Sequence, residues 1–235
     1  MKKLKIFLIL IMATALQLSV LAQNKETREV RDFDEIQMRL GGKVFVTLGD
    51  KYEVILEGDE DYLEDIETEV KSGRLTIKDR RERSWKFWGN NRGRLTVYVT
   101  VKELKGAFVS GSGDIIGKSK FSADDFTVSI SGSGDIELEV EADYVSSRIS
   151  GSGNIELAGK SAKAKLSISG SGKYFAEKMV VGDYNISMSG SGRGSVNVEG
   201  ELDVRISGSG KIYYMGKPTG VNSSVAGSGT VRKIN

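Results

Sequence analysis

The sequence lacks two residue types that carry much of protein chemistry. Its 235 residues include no cysteine and no histidine. The missing cysteine excludes disulfide bonds, cysteine nucleophiles and a lipid-modified cysteine, and the missing histidine excludes His-based catalytic triads and, together with cysteine, ordinary zinc sites. We therefore expect a fold held together by packing and backbone hydrogen bonds, with no cofactor, no metal and no catalytic residue.

A long apolar run occurs only at the N-terminus. Three lysines are followed by an apolar run from Ile6 to about Leu21 and by the small residue Ala22. This pattern predicts a secretory signal peptide over residues 1–22, and the polar QNKET that follows favours cleavage after Ala22. The alternative is a membrane anchor, for which the run is barely long enough. We expect an exported protein in the periplasm, on the outer-membrane surface or outside the cell, which meets the membrane only through this segment before cleavage.

The chain also lacks an excess of positive over negative residues or of negative over positive ones. The chain has 34 lysine and arginine residues against 32 aspartate and glutamate residues. Removal of Lys2, Lys3 and Lys5 with the signal peptide leaves 31 (34 − 3) positive residues against 32 negative ones. A neutral mature protein argues against nucleic acid and against an anionic membrane as partners.

One four-residue phrase is abundant. SGSG occurs six times and AGSG once, beginning at residues 110, 131, 150, 169, 189, 207 and 226, so successive copies are 21, 19, 19, 20, 18 and 19 residues apart. A period near 20 residues is typical of a stacked repeat architecture. Apolar and polar residues alternate before the copies, as in Phe126–Ile130 (FTVSI). This alternation predicts half-buried strands.

Together these features predict an all-β fold, a single-stranded parallel β-helix (β-solenoid) with about 19–20 residues per coil. Each SGSG corner would stack on the next about 4.8 Å away. The alternative is an antiparallel meander, which separates equivalent turns and puts no demand on their sequence. Glycine permits a sharp corner with close backbone approach. The predicted structural corner residues are Gly111, Gly113, Gly132, Gly134, Gly151, Gly153, Gly170, Gly172, Gly190, Gly192, Gly208, Gly210, Gly227 and Gly229.

The segment before the repeats is expected to form irregular β coils and a cap. Residues 23–105 alternate in strand fashion without the SGSG phrase, and one short helix is predicted within Asp59–Glu69. Terminal repeats of a solenoid are usually atypical. Because no linker interrupts the chain, residues 23–105 and the repeat region 106–235 are predicted to form one continuous domain.

A loop rich in tryptophan and arginine is predicted at residues 80–94. It holds Trp85, Phe87, Trp88 and Arg92. These are candidate partner-binding residues, because tryptophan offers a flat apolar face to a sugar ring and arginine donates hydrogen bonds to hydroxyls or acidic sugars. The alternative is that the aromatic side chains fold back onto the solenoid and cover it.

Neither a calcium ladder nor catalysis is favoured by the sequence. The residue after the corner is acidic at Asp114 and Asp135 but basic at Lys173, Arg193 and Lys211. A calcium ladder requires carboxylates that recur at this place, so at most one weak site near the two aspartates is expected. The remaining acidic residues read as solvated surface.

Three sequence features resemble a known bacterial family. The opening VRDFDEI, the later LTI strand and the run SGSGDI, SGSGDI, SGSGNI are similar to the family described as "putative auto-transporter adhesin, head GIN domain", exported proteins common in the Bacteroidetes. The resemblance spans about Asp32 to the C-terminus. It implies a parallel β-helix similar to pectin lyase folds, without recognisable catalytic residues, and a role in cell adhesion.

The resulting hypothesis is an exported, non-enzymatic surface or periplasmic protein. It would act as an adhesin that binds a glycan or protein partner through the solenoid faces and loop 80–94. The alternative is a carbohydrate-active enzyme of the pectin-lyase type, which would gather acidic or basic residues in one groove. Because basic residues follow the later corners, a function tied to a repeated acidic corner is not expected.

Overall fold

Stacked coils of β-structure make up almost all of the described chain. The computed structural model describes residues 24–80 and 94–234. It is 73% strand and 3% helix and forms a parallel β-solenoid of about seven turns, which confirms the fold predicted from the SGSG spacing. Among the described residues, no helix is long and apolar enough to cross a membrane.

The N-terminal part contains short strands and one helix. The repeat region begins with long strands, each of which runs from one SGSG corner to the next and bends on the side of the solenoid opposite the corners. The N-terminal elements are β1 (Asn24–Arg28), β2 (Glu35–Met38), β3 (Lys43–Leu48), β4 (Glu53–Gly58), α1 (Glu60–Glu64), β5 (Ile66–Lys71), β6 (Arg74–Asp79), β7 (Thr96–Val101) and β8 (Gly106–Val109). The repeat region contains β9 (Asp114–Gly132), β10 (Asp135–Gly151), β11 (Asn154–Gly170), β12 (Lys173–Gly190), β13 (Arg193–Val198), β14 (Glu201–Gly208), β15 (Lys211–Gly216), β16 (Gly220–Ala226) and β17 (Thr230–Lys233).

Parallel pairing shifted by one repeat builds the regular coils. Ile149 in β10 lies beside Ile168 in β11 and beside Ile130 in β9. The residue before each corner therefore forms one core column, which continues through Met188, Ile206 and Val225. Because these neighbouring strands are parallel, the antiparallel meander is excluded.

The solenoid has two faces that meet at the SGSG corners. Face A consists of the segments before the corners, in the order β5, β6, β2, β8, the second halves of β9 to β12, β14 and β16. Face B consists of the segments after the corners, in the order β1, β4, β7, β3, the first halves of β9 to β12, β13, β15 and β17. Alternate residues of both faces point inward, as with Val128 and Ile115, which are fully buried.

The N-terminal coils are stacked out of sequence order. Strand β2 pairs with β8 on one side and β6 on the other, while β3 pairs with β9 and β7. The coil made by β6 and β7 therefore lies outside the coil made by β2 and β3, although it comes later in the chain. Strands β5 and β1 pair antiparallel with β6 and β4 and cover this end of the solenoid.

The helix is shorter than the sequence predicts. Helix α1 spans only five residues, Glu60–Glu64, and the rest of the predicted helical segment is strand β5. Acidic residues in the first turn favour a helix N-terminus. Beyond that turn, however, Ile66, Thr68 and Val70 alternate along β5 beside β6, and this period of two favours a strand.

The corner glycines approach one another too closely for a side chain. From Gly132 onward the first glycine of each copy has a φ between +114° and +148°. A Cβ at Gly151 would lie 2.3 Å from the carbonyl oxygen of Gly132. The second glycines form a parallel column, in which a Cβ at Gly134 would lie 2.0 Å from the carbonyl oxygen of Gly113. Along the corner edge of the solenoid, the backbone of each glycine therefore contacts the backbone of the next one directly, with no side chain between them.

One departure from the apolar pattern after the corners has a packing cause. Gly194 stands where most other copies have isoleucine or tyrosine, and it lies beside Tyr174 in β12. Tyr174 is among the largest fully buried side chains. A Cβ at Gly194 would lie 2.7 Å from Cδ1 of Ile212 and 3.6 Å from Cδ2 of Leu166, so these two side chains fill the space that a side chain at residue 194 would need.

A cluster of hydroxyl groups is buried in the same part of the core. The Tyr184 hydroxyl donates a hydrogen bond to the Tyr174 hydroxyl at 2.7 Å, and the Ser147 hydroxyl donates to the same oxygen at 3.3 Å. Burial raises the pKa of Tyr184 well above its ordinary value and also raises the pKa of Tyr174. Both phenols are therefore neutral, hydrogen-bonded members of the core.

We expect Gly151→Ala to destabilise the solenoid strongly. The substitution places a side chain at a φ of +132° and against the Gly132 carbonyl, and the backbone strain alone costs about 1–3 kcal/mol. Gly220→Ala is the matched control, because a Cβ there would meet no atom within 4 Å. Urea unfolding should show a lower midpoint for Gly151→Ala only. Equal midpoints for the two variants would contradict the importance of the corner.

We also expect stability to fall at alkaline pH because of the buried tyrosines. The folded-state pKa values of Tyr174 and Tyr184 are raised, so above about pH 10 the unfolded chain loses these protons first. Their contribution is complete below that pH and decreases above it by at most about 1.4 kcal/mol per pH unit for each tyrosine. The double variant Tyr174→Phe/Tyr184→Phe should lose this slope in urea unfolding between pH 9 and 11. Tyr213→Phe should keep it.

Candidate functional site

The predicted tryptophan loop falls largely outside the described residues. Trp85, Phe87, Trp88 and Arg92 all lie there, so their role as partner-binding residues stays a prediction. The strands that flank the segment are described, and they place its ends. The Lys43 amide donates to the carbonyl of Leu95 at 3.0 Å, so the segment leaves and rejoins the solenoid on the edge where the SGSG corners lie.

The SGSG corners present hydroxyl groups rather than acid groups to solvent. The two serines of each phrase are exposed from Ser110 to Ser209, and the first serines lie side by side in register, as Ser131, Ser150 and Ser169 do. The corner edge is therefore a regular array of hydroxyls on a rigid backbone. The serines themselves are polar and uncharged, and charged residues such as Asp114 and Lys173 follow directly after the corners.

The acidic residues after the first corners are already engaged in hydrogen bonds. Asp114 Oδ1 accepts from the Asp135 amide at 3.3 Å, and Asp135 Oδ1 accepts from both the amide and the side-chain nitrogen of Asn154, at 3.1 and 2.7 Å. Within residues 24–80 and 94–234, no group of three or more acidic residues is arranged to hold a metal ion. These carboxylates therefore extend the backbone ladder around the corner.

Face A is polar on its outer surface for most of its length. The outward row beside the corner serines runs through Ser129, Arg148, Ser167, Ser187 and Arg205. At its N-terminal end Phe108 is covered by the Arg74 guanidinium, which lies 4.0 Å from the ring centroid. The next outward row of this face contains Lys165, Asn185 and Asp203, so the outer surface of face A mixes hydroxyl groups with charges of both signs.

Face B carries an apolar and aromatic patch on its outer surface, near the N-terminal end of the solenoid. Four neighbouring strands, β4, β7, β3 and β9, place Ile55, Tyr98, Phe45 and Ile116 in one outward row. We call these four residues the aromatic row. The side chain of Tyr98 is 39% exposed and the other three are half-buried. Contiguous exposed apolar residues of this kind mark interaction sites more often than chance.

The two rings of the aromatic row lie next to each other and each is accompanied by a lysine. The centroids of Phe45 and Tyr98 are 5.8 Å apart, with their planes inclined by 26°. Lys118 Nζ lies 4.7 Å from the Phe45 centroid, and Lys25 Nζ lies 5.5 Å from the Tyr98 centroid. The negative faces of the rings thus already attract positive groups.

Polar rows flank the aromatic row on both sides. One contains Glu57, Thr96, Lys43 and Asp114, and the other contains Glu53, Thr100 and Thr47. With Lys25 and Lys118 included, the side chains named in these described rows are three positive and three negative, so charges of both signs surround the rings. An apolar strip between hydroxyls and mixed charges offers stacking in the centre and hydrogen bonds at both margins.

Sequence reasoning missed the aromatic row. Its residues lie far apart in the chain and become neighbours only because the N-terminal coils are stacked out of order. One signal was present: in KVFVTL and TVYVTV, Phe45 and Tyr98 occupy the outward positions, where alternation alone predicts polar residues.

Thermal stability should not depend on calcium. The carboxylates after the first corners already accept hydrogen bonds, and basic residues follow at Lys173, Arg193 and Lys211. Melting curves recorded with calcium and with a chelator should superimpose. An upward shift of many degrees with calcium would show a bound ion that stabilises the folded state.

Comparison with known proteins gives one family and several similar structures. The family described as "Putative auto-transporter adhesin, head GIN domain" matches residues 32–218. No curated protein matches the chain. A "putative adhesin" from Bacteroides fragilis NCTC 9343 has a similar structure, with a TM-score of 0.81 and 23% identity over 90% of this chain and 96% of that one.

Two further structures are similar over the same extent. A "putative lipid binding protein" from Parabacteroides distasonis ATCC 8503 has a TM-score of 0.72 and 27% identity over 90% of this chain and 97% of that one. A "putative adhesin" from Parabacteroides merdae ATCC 43184 has a TM-score of 0.68 and 22% identity over 90% of this chain and 96% of that one.

Proposed function

Because the chain belongs to the family described as "Putative auto-transporter adhesin, head GIN domain", we propose that it is an exported, non-enzymatic adhesin that binds a glycan. The aromatic row on face B is the observation that carries this proposal. Rigid aromatic side chains on a sheet are held in fixed positions by their neighbours, so little conformational entropy is lost when a ligand stacks on them.

The chemistry of the aromatic row favours a sugar over other ligands. The C–H groups of a sugar ring carry partial positive charge, and the faces of Phe45 and Tyr98 attract positive groups, as Lys118 and Lys25 illustrate. The threonine hydroxyls of the flanking rows can exchange hydrogen bonds with sugar hydroxyls. Among the described residues around the rings, positive and negative side chains are mixed, whereas an anionic membrane or a nucleic acid would favour a concentration of basic ones.

Binding without turnover is the expected behaviour. The chain has no histidine and no cysteine, and the Glu53, Glu57 and Asp114 carboxyls near the aromatic row stand on its two opposite margins rather than in one groove. Glycoside hydrolysis needs two carboxyl groups across the scissile bond, one of them with a raised pKa. The patch therefore supports adhesion better than catalysis of the pectin-lyase type.

A lipid is the second candidate ligand. It is favoured by the apolar character of the aromatic row and by the name of the similar protein from Parabacteroides distasonis, a "putative lipid binding protein". A lipid would have to lie on the outer surface of face B, because the interior between the faces is filled with buried side chains. Neutral phosphatidylcholine vesicles provide the direct comparison with a glycan.

The test is binding of the purified protein to a glycan array, followed by titration of the best ligand with variants. Phe45→Ala/Tyr98→Ala should weaken binding about 5- to 150-fold, since each ring contributes about 0.5–1.5 kcal/mol. Tyr213→Ala is the matched control, because Tyr213 lies in the same outward row of face B, beyond Glu137, Glu156, Phe175 and Ser195. It should bind as the unmodified protein does.

Other outcomes would point elsewhere. Unchanged glycan affinity in Phe45→Ala/Tyr98→Ala would contradict the role of the aromatic row. Loss of binding in Trp85→Ala/Trp88→Ala instead would assign recognition to the loop at residues 80–94. Binding to the vesicles without any glycan binding would favour the lipid.

A further inference from the structure

The C-terminal coil leaves core positions uncovered. Val221 and Val225 in β16 point inward, in register with the buried residues Leu202 and Ile206 of β14. Their side chains are nevertheless each 40% exposed, while Leu202 and Ile206 are 0% and 3% exposed. Within residues 24–80 and 94–234, β16 pairs with β14 on one side and no strand pairs with its outer edge. The end of the solenoid thus presents both an unpaired backbone edge and apolar side chains.

The two ends of the solenoid are protected to very different degrees. At the N-terminal end the outer strands carry charged residues: Lys25, Glu26 and Arg28 in β1, and Glu67, Glu69 and Lys71 in β5. Strand β16 has the sequence GVNSSVA, with no charged residue and no proline. Edge strands in monomeric proteins are usually blunted by such residues, so the bare edge of β16 is open to pairing with a further strand.

The sequence of β16 is complementary to itself. When two copies of VNSSV are paired antiparallel about Ser223, Val221 lies opposite Val225 of the other copy and Ser223 lies opposite Ser223. Directly opposed residues in an antiparallel pair share a face, so both valines of each copy would be covered from the inner side. Twofold contacts require this kind of self-complementary surface, and no like charges meet along the strand.

We propose that the outer edge of β16 is a self-association surface, on which a second copy of this chain pairs its own β16 antiparallel about Ser223. The two solenoids then join end to end through their C-terminal coils. The neighbouring strand β17 carries Arg232 and Lys233. In this arrangement they face the same residues of the second copy and repel them. The attraction between the two copies therefore comes from β16. Because the N-terminal ends are charged and already capped, the assembly closes at two copies.

Sedimentation of the purified protein tests the proposal. At high micromolar concentration the unmodified protein should sediment as a dimer. Val221→Lys and Val225→Lys should each be monomeric, because a lysine would be buried opposite the apolar side chain of the second copy. Val180→Lys is the matched control, since Val180 is 45% exposed at a site remote from β16, and it should remain dimeric. At concentrations low enough for the unmodified protein to be monomeric, all three variants should melt like it, because the association no longer adds to its stability.

The register is tested by a single cysteine, which the natural chain does not have. Under mild oxidation Ser223→Cys should form a cross-linked dimer rapidly, because the two thiols lie opposite each other at the twofold axis. Val180→Cys should still associate but should remain largely without the covalent cross-link under the same conditions. A monomeric unmodified protein, dimers of Val225→Lys, or equal cross-linking of the two cysteine variants would each overturn the proposal.

Discussion

Contact between the backbones of successive SGSG corners is the constraint on which the rest of the structure depends. A Cβ at Gly134 would lie 2.0 Å from the Gly113 carbonyl oxygen, so this edge accepts only glycine at the stacked positions. With the corner spacing set in this way, the residues before and after it are held in register, and Ile130, Ile149 and Ile168 form a continuous column. The variable lengths of the repeats are absorbed elsewhere, as the irregularity between Glu137 and Glu139 shows.

A rigid corner leaves the outer surfaces of both faces free to vary. Inward positions must be apolar, whereas outward positions need only suit a pleated surface. Face A uses this freedom for serines and scattered arginines, and face B uses it for the aromatic row of Ile55, Tyr98, Phe45 and Ile116. The candidate site is therefore a feature of the outer surface that the packing of the solenoid permits but does not require.

The fold could be predicted from the sequence because its signal is local and repeated. The spacing of the seven SGSG or AGSG motifs predicts the number of residues per coil. The alternation of apolar and polar residues around Ile130 predicts which side chains point into the core. The arrangement of the N-terminal coils could not be predicted, because Gly41 and Gly42 mark a turn without revealing which later strands lie beside it. The aromatic row depends on that arrangement and was missed for the same reason. The helix was overestimated because the acidic start of Asp59–Glu69 was weighed above the alternation from Ile66 onward.

The out-of-order stacking of the N-terminal coils has a consequence for how the chain folds. Neighbours in the SGSG region, such as Ile149 and Ile168, are one repeat apart, so their loop-closure entropy is small. Strand β2, in contrast, pairs Glu35 with Gly106, so this edge of β2 stays unpaired until the chain between these two residues has closed. Contacts of high sequence separation form slowly. The repeat region is thus suited to nucleate folding, and the cap with its aromatic row is suited to complete it last.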